Sequence, residues 1–281
     1  MELSLCELQE IASYLQVNRS QIIIRQGHDA IGKFTSSCKA MESLDDNVIE
    51  RWYCTKCSGK LLSAVGTNCW VNMGPLKDES IPQTHAKRWA KQLKQIENNI
   101  QSQQSADNNI ITCRWIDALP DRTRRKSKYD APPTGRTKWS GGCLCGVNRY
   151  EIDVSRLTQL QHCYCNICRE LSGGPFMTWF PIDKDNFVWK QTNSETLSFV
   201  RTTPFGRRHI CKICQGVLTI VYDSQPDLIW PCAGGLDDAC LPDNSKEMGG
   251  FLNRVCHICC RDKPPWLQLP NDNMERLDNV C

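Results

Sequence analysis

Long apolar runs are missing from this chain of 281 residues. None approaches the roughly 18 residues that a membrane-spanning helix requires, so no membrane segment is expected. Basic residues are missing from the opening stretch: MELSLCELQEIASYL holds three glutamates and no Lys or Arg, so a secretory leader is not expected either. Strong charge of one sign is also missing. A net charge of +3 does not by itself imply a polyanionic partner. Apolar residues at 40% and charged residues at 23% are ordinary for a soluble globular protein, and the length suits about two domains.

What the chain has in excess is cysteine, with 19 residues, an odd number. Without export, thiols stay reduced, so closely spaced cysteines point to metal or redox work rather than a disulfide framework. The expected compartment is cytoplasmic, with nuclear the alternative.

The second half alternates with a two-residue period: Tyr150, Ile152 and Val154, then Met177 and Trp179, Phe187 to Trp189, Leu197 and Phe199, Val217 to Tyr222, and Leu228 to Trp230. Turn residues such as Gly173-Gly174-Pro175 and Gly234-Gly235 separate these runs, so this half is expected to be nearly all β. Helical spacing appears in one place. Ala86, Trp89, Ala90, Leu93, Ile96 and Ile100 predict an amphipathic helix near 84–103. A polar stretch follows, then Arg122 to Lys128 and Ala131-Pro132-Pro133, which read as a solvated linker over 113–139.

The chain also repeats itself. Cys54-x-x-Cys57 with Gly59 and Leu61 recurs as Cys211-x-x-Cys214 with Gly216 and Leu218, a shift of 157 residues. Trp70, Gly74 to Asp78 and Ile81-Pro82 recur as Trp230, Gly234 to Asp238 and Leu241-Pro242, now at a shift of 160. Arg51 and Arg208 stand at equal distances before the cysteine pairs. Residues 1–112 therefore read as a degenerate or truncated copy serving as a packing partner, and 140–281 as the complete unit.

The complete unit holds Cys143-x-Cys145, Cys163-x-Cys165-x-x-Cys168 and Cys211-x-x-Cys214. A tight C-x-x-C turn aims two thiolates at one metal, and C-x-C on extended chain presents both from one face. Two such pairs make a closed, structural four-thiolate site. Three thiolates within six residues serve a single ion and leave its fourth position open, as in catalytic zinc. Other readings of the trio remain: a redox pair, which wants its C-x-x-C opening a helix where nothing helical is expected after Cys168; iron–sulfur ligation; or a structural site closed by His162, Cys232, Cys240 or Cys256. Cys256, Cys259 and Cys260 are taken as small buried hydrophobes, and His257 as a packed histidine.

These clusters, together with Gly141 to Gly146, Arg149-Tyr150, Ser172 to Phe176, Gly235 to Asp238 and Pro264-Pro-Trp266, resemble the glutathione-dependent formaldehyde-activating (GFA) family, which also includes centromere protein V. The resemblance implies a mainly β, tent-like fold of antiparallel sheets around two zinc ions. It places Cys143, Cys145, Cys211 and Cys214 on a structural zinc and Cys163, Cys165 and Cys168 on a catalytic one. It also implies a carbon–sulfur lyase that joins glutathione to formaldehyde or a similar small aldehyde. Arg169, next to the trio, and Arg208 are candidates to hold a substrate carboxylate, with an ordinary structural pairing as the alternative for each. Two positions depart from the family pattern: Tyr164 stands where histidine is usual, and Gln215 where glycine is. The rival class is a non-catalytic zinc-folded module that contacts nucleic acid or another acidic partner through the basic run.

Overall fold

The computed structural model describes residues 14–37, 48–91 except Trp89, 138–155, 159–237, 255–269 and 272–278. The linker over 113–137, the helix beyond 91, and Cys6, Cys38, Cys113, Cys240 and Cys281 lie outside the described residues.

Five strands in the amino-terminal part form one antiparallel sheet in the order β1-β5-β4-β3-β2, where β1 is Tyr14–Asn18, β2 Ile31–Ser37, β3 Val48–Cys54, β4 Lys60–Val65 and β5 Asn68–Asn72. A second five-stranded antiparallel sheet has the order β10-β15-β14-β13-β12, where β10 is Ile182–Asp183, β12 Leu197–Thr203, β13 Gly206–Cys211, β14 Val217–Tyr222 and β15 Leu228–Pro231. The two sheets match pair by pair. Arg51 faces Ser63 as Arg208 faces Ile220, and Ser63 faces Trp70 as Ile220 faces Trp230. In both, the ladder slips one residue just before the cysteines, at Trp52/Tyr53 and at His209/Ile210. The opening strand, β1 or β10, runs in each case into a short 3-10 turn, Arg19–Gln21 or Lys184–Asn186.

Two further sheets complete the carboxy-terminal part. One is antiparallel, β11-β7-β6, from Lys138–Gly142 (β6), Arg149–Asp153 (β7) and Phe187–Gln191 (β11). Tyr150 and Ile152 on β7 are buried between half-buried neighbours, as the alternation requires. The other, β17-β16-β8-β9, joins Leu160–Cys163 (β8), Met177–Trp179 (β9), Val255–Ile258 (β16) and Glu275–Leu277 (β17). Here β16 pairs in parallel with both β8 and β17, a departure from the expected all-antiparallel pattern. Parallel neighbours are brought together by long connections, so no hairpin signal in the sequence announces them.

One segment corrects the expectation that nothing helical follows Cys168. Asn166–Ser172 is an α-helix (α2), and it follows Cys165 immediately. Seven residues are too few for helical periodicity to stand out, although Cys168, Arg169 and Leu171 bury one face. Gly173 ends it with φ 80°, its N–H donating to the Arg169 carbonyl at 2.8 Å.

The two parts pack tightly. Met73, Ile81 and Ala86 form one apolar cluster with Tyr164, Trp266 and Leu267. Ala86 belongs to the helical residues 83–88 and 90–91 (α1), so the start of the expected helix does cover an apolar surface. The Gly74 N–H donates to the Gly173 carbonyl at 2.9 Å. A Cβ at Gly74 would lie 2.3 Å from the Gly174 carbonyl oxygen and 2.5 Å from that of Arg169, so backbone meets backbone where only glycine fits. Gly74→Ala is expected to cost about 2–3 kcal/mol, the scale of overpacking, read as a lowered thermal midpoint in the full chain. An unchanged midpoint would mean that the two parts can separate at no cost.

Candidate metal centres

The first cluster is built by two turns. Cys143 leaves β6 and enters a turn closed by the Gly146 N–H on the Cys143 carbonyl at 3.0 Å, with Gly146 at φ 77°. Cys211 ends β13 and begins a second turn, where Cys211 N–H donates to the Gly216 carbonyl at 3.0 Å. The four sulfurs of Cys143, Cys145, Cys211 and Cys214 all lie within 4.8 Å of one another. Cys143 and Cys145 are 3.5 Å apart and Cys145 and Cys211 3.6 Å apart, close to the roughly 3.8 Å edge of a tetrahedron with 2.3 Å metal–sulfur bonds. The fully buried Asn148 supports them, donating from its backbone to Cys143 Sγ at 3.4 Å and holding the Thr192 and Thr196 hydroxyls. Gln215, the departure from glycine, adopts φ 59°, a left-handed conformation that glycine takes without strain. Its side chain is anchored on both sides, accepting from Ser58 Oγ at 2.7 Å and donating to the Lys212 carbonyl at 2.8 Å.

The second cluster sits where β8 passes into α2. Cys163 ends the strand, Cys165 stands at the helix cap, and Cys168 lies within the first turn. Their sulfurs also fall within 4.8 Å of one another. The sequence-based argument against a redox pair, that no helix follows, therefore fails. What distinguishes this site from a two-thiol redox pair is the third sulfur. His162, Cys232 and Cys256 do not join the group among the described residues. His162 bonds the Thr178 hydroxyl at 2.8 Å, and burial pushes its pKa down to about 4. Cys259 Sγ comes within 3.9 Å of Cys163 Sγ, but Cys259 is disulfide-bonded, contrary to its expected role as an inert thiol.

Neither cluster is comfortable as thiols alone. Hydrogen bonds from Cys163 and Cys168 push Cys165 down to about 3, while Cys163, the proton-holding partner, is driven far up. Cys143 and Cys211 split in the same way, down and up, through their mutual hydrogen bonds. Sulfurs this close share protons because adjacent negative charges repel, and a bound cation removes that constraint. All-sulfur donor sets of three and four suit zinc, among other soft-tolerant metals.

The trio opens onto a cleft of ≈370 Å³ walled by Trp179, Phe205, Tyr222 and Trp230. Trp179 Nε1 donates to Cys168 Sγ at 3.4 Å. Arg208 lines the same cleft, 3% exposed, with its guanidinium 6.0 Å from the Trp179 ring. It donates to Thr202 Oγ1, but among the described residues its Nε has no acceptor and no carboxylate pairs with it. Arg169 is placed elsewhere. Its two terminal nitrogens reach both oxygens of Asp78 at 3.1 Å, and it also donates to Asn166, which is the structural pairing named above as one alternative. Sequence reasoning missed the anchor because Asp78 lies 91 residues away in the other half of the chain. Tyr164 is also turned to structure. Its ring belongs to the cluster shared with Met73 and Ile81, and its hydroxyl meets His257 Nδ1 at 2.8 Å, with Asp272 on His257 Nε2 at 2.9 Å. The tyrosine-for-histidine departure thus does not touch the cleft.

Two cysteine clusters, one at the turns leaving β6 and β13 and one open to a cleft, could each hold a metal ion on thiolates. Residues 138–251, which contain all seven of these cysteines, match the family of glutathione-dependent formaldehyde-activating enzymes. A crystal structure of a Rhodobacter sphaeroides protein, a structural-genomics target, is similar at 17% identity and a TM-score of 0.30, covering 39% of this chain and 94% of that one. No curated protein matches the chain. No helix among the described residues is long and apolar enough to cross a membrane.

Proposed function

We propose that the carboxy-terminal unit is a zinc-dependent carbon–sulfur lyase that interconverts a thiol and a small aldehyde with their S-hydroxymethyl-type adduct, glutathione and formaldehyde being the pair that the family implies. The observation that carries this reading is the trio of Cys163, Cys165 and Cys168 lining the same cleft as the under-paired Arg208. In this reading those three cysteines hold the catalytic ion, and Cys143, Cys145, Cys211 and Cys214 a structural one. A divalent ion on three thiolates supplies an open position and moderate Lewis acidity. In the forward direction a sulfur–carbon bond forms as the carbonyl π bond breaks, and the thiol proton ends on the former carbonyl oxygen. Arg208 holds the oxyanion or a substrate carboxylate, the aromatic walls exclude water, and Trp179 N–H fixes the Cys168 sulfur.

In the same reading residues 1–112 are a degenerate copy, 113–139 a linker and 140–281 the complete domain; the matched strand order and registers of the two five-stranded sheets support the repeat. In this reading Cys54 and Cys57 hold no metal; among the described residues they belong to no group of three ligands.

Exchange NMR on glutathione and ¹³C-formaldehyde, with the zinc-loaded full chain, tests the activity. Acceleration of adduct exchange is expected, and Arg208→Met should lower it about 10²-fold, the scale of losing one preorganised charge donor. Exchange no faster than in buffer, across glutathione and other small thiols, would sink the enzyme reading.

A further inference from the structure

A divalent ion held by Cys143, Cys145, Cys211 and Cys214 as thiolates leaves a formal charge of −2 among buried atoms, with Cys143, Cys211 and Cys214 each at most 6% exposed. Buried net charge is costly unless a counter-charge lies nearby. Among the described residues of the carboxy-terminal unit, Lys212 turns outward to the Ser194 carbonyl, Arg208 faces the other centre and Arg149 pairs with Asp237. The amino-terminal sheet does supply a counter-charge. Lys60, the first residue of β4, sends its ammonium across the contact between the two parts to donate to the Gln215 carbonyl, within the turn that carries Cys211 and Cys214. Beside it, Ser58 Oγ holds the Gln215 side chain at 2.7 Å. Among the described residues no carboxylate comes within ion-pair distance of Lys60, and the carbonyl that its ammonium meets belongs to the residue directly after Cys214. The repeat sharpens the point. At a shift of 157 the counterpart of Lys60 is Val217, so the copies diverge to a cation where the first faces the second's cluster.

We propose that Lys60 is the resident counter-cation of the four-cysteine centre, so that the amino-terminal sheet contributes a residue to the metal site of the carboxy-terminal domain. This rests on those four cysteines being ligands, and not on the trio being catalytic. The packing partner is then also an electrostatic one, and metal affinity in one half depends on a side chain in the other.

The test uses the full chain with Cys165→Ser, which removes the second ion, and reads zinc affinity at the remaining centre by competition with a chromogenic chelator. Lys60→Met and Lys60→Gln are expected to weaken zinc 10- to 100-fold, roughly the effect of losing a partner around metal ligands. Lys60→Arg should stay within a few-fold of the parent. Ser58→Ala breaks the neighbouring contact without changing charge and should also stay within a few-fold. The glutamine variant keeps a hydrogen-bond donor, so it reads the charge even if the methionine variant misfolds. Neutral variants that hold zinc as tightly as the parent overturn the proposal. So does a Ser58→Ala loss as large as theirs, or a parent that binds no ion. Because no activity is measured, failure of the lyase reading leaves this result intact.

Discussion

Cys165→Ser is expected to yield a folded protein that has lost one metal equivalent and at least about 10³-fold of any thiol–aldehyde exchange activity, since a catalytic ion contributes several kcal/mol at the transition state. The structure explains why the fold should survive. Cys165 stands at the helix cap and is only partly buried, and α2 is held from outside by the Arg169–Asp78 pair and the Gly74–Gly173 hydrogen bond. Circular dichroism, elemental analysis and exchange NMR on one preparation check all three expectations. If this variant unfolds as readily as one altered at the other centre, the trio is structural and the enzyme reading falls.

Cys211→Ser should behave in the opposite way, giving insoluble or unfolded protein. Cys211 is fully buried and ends β13, an interior strand paired on both sides, and its cluster joins that sheet to the turn leaving β6. A closed structural zinc contributes about 10–16 kcal/mol in small domains, against a net stability of about 5–15 kcal/mol for a whole protein. Losing a ligand therefore removes a quantity comparable to the entire margin. Recovery of soluble, cooperatively melting Cys211→Ser protein would show that this centre does not hold the domain together.

Much of this was legible in the sequence because thiolate ligands come in short fixed spacings, and strands that bury one face must alternate. The four-plus-three grouping of cysteines, the strands around Tyr150, Val217 and Leu228, and the repeat at Cys54 and Cys211 all follow from local pattern. What was hidden depends on distance along the chain or on brevity. Strand β10 has two residues, α2 seven, and the parallel β8–β16 pairing joins segments about 95 residues apart with no turn between them to read. For Arg169 the sequence left a substrate contact and a structural pairing both open, because Asp78, which it pairs with, comes from the other half. Gln215 looked like a lapse from glycine until Ser58 was seen to hold it.

Ser58 and Gln215 occupy equivalent places in the two repeats, and they touch. A contact between matching positions is what two separate copies related by a twofold axis would make. Here the copies share one backbone, so the encounter is intramolecular. Tethering gives such a partner an effective concentration of up to the millimolar range, whatever the amount of protein in solution. The contact, and everything that leans on it, should therefore persist at dilutions where an assembly of unlinked subunits would come apart.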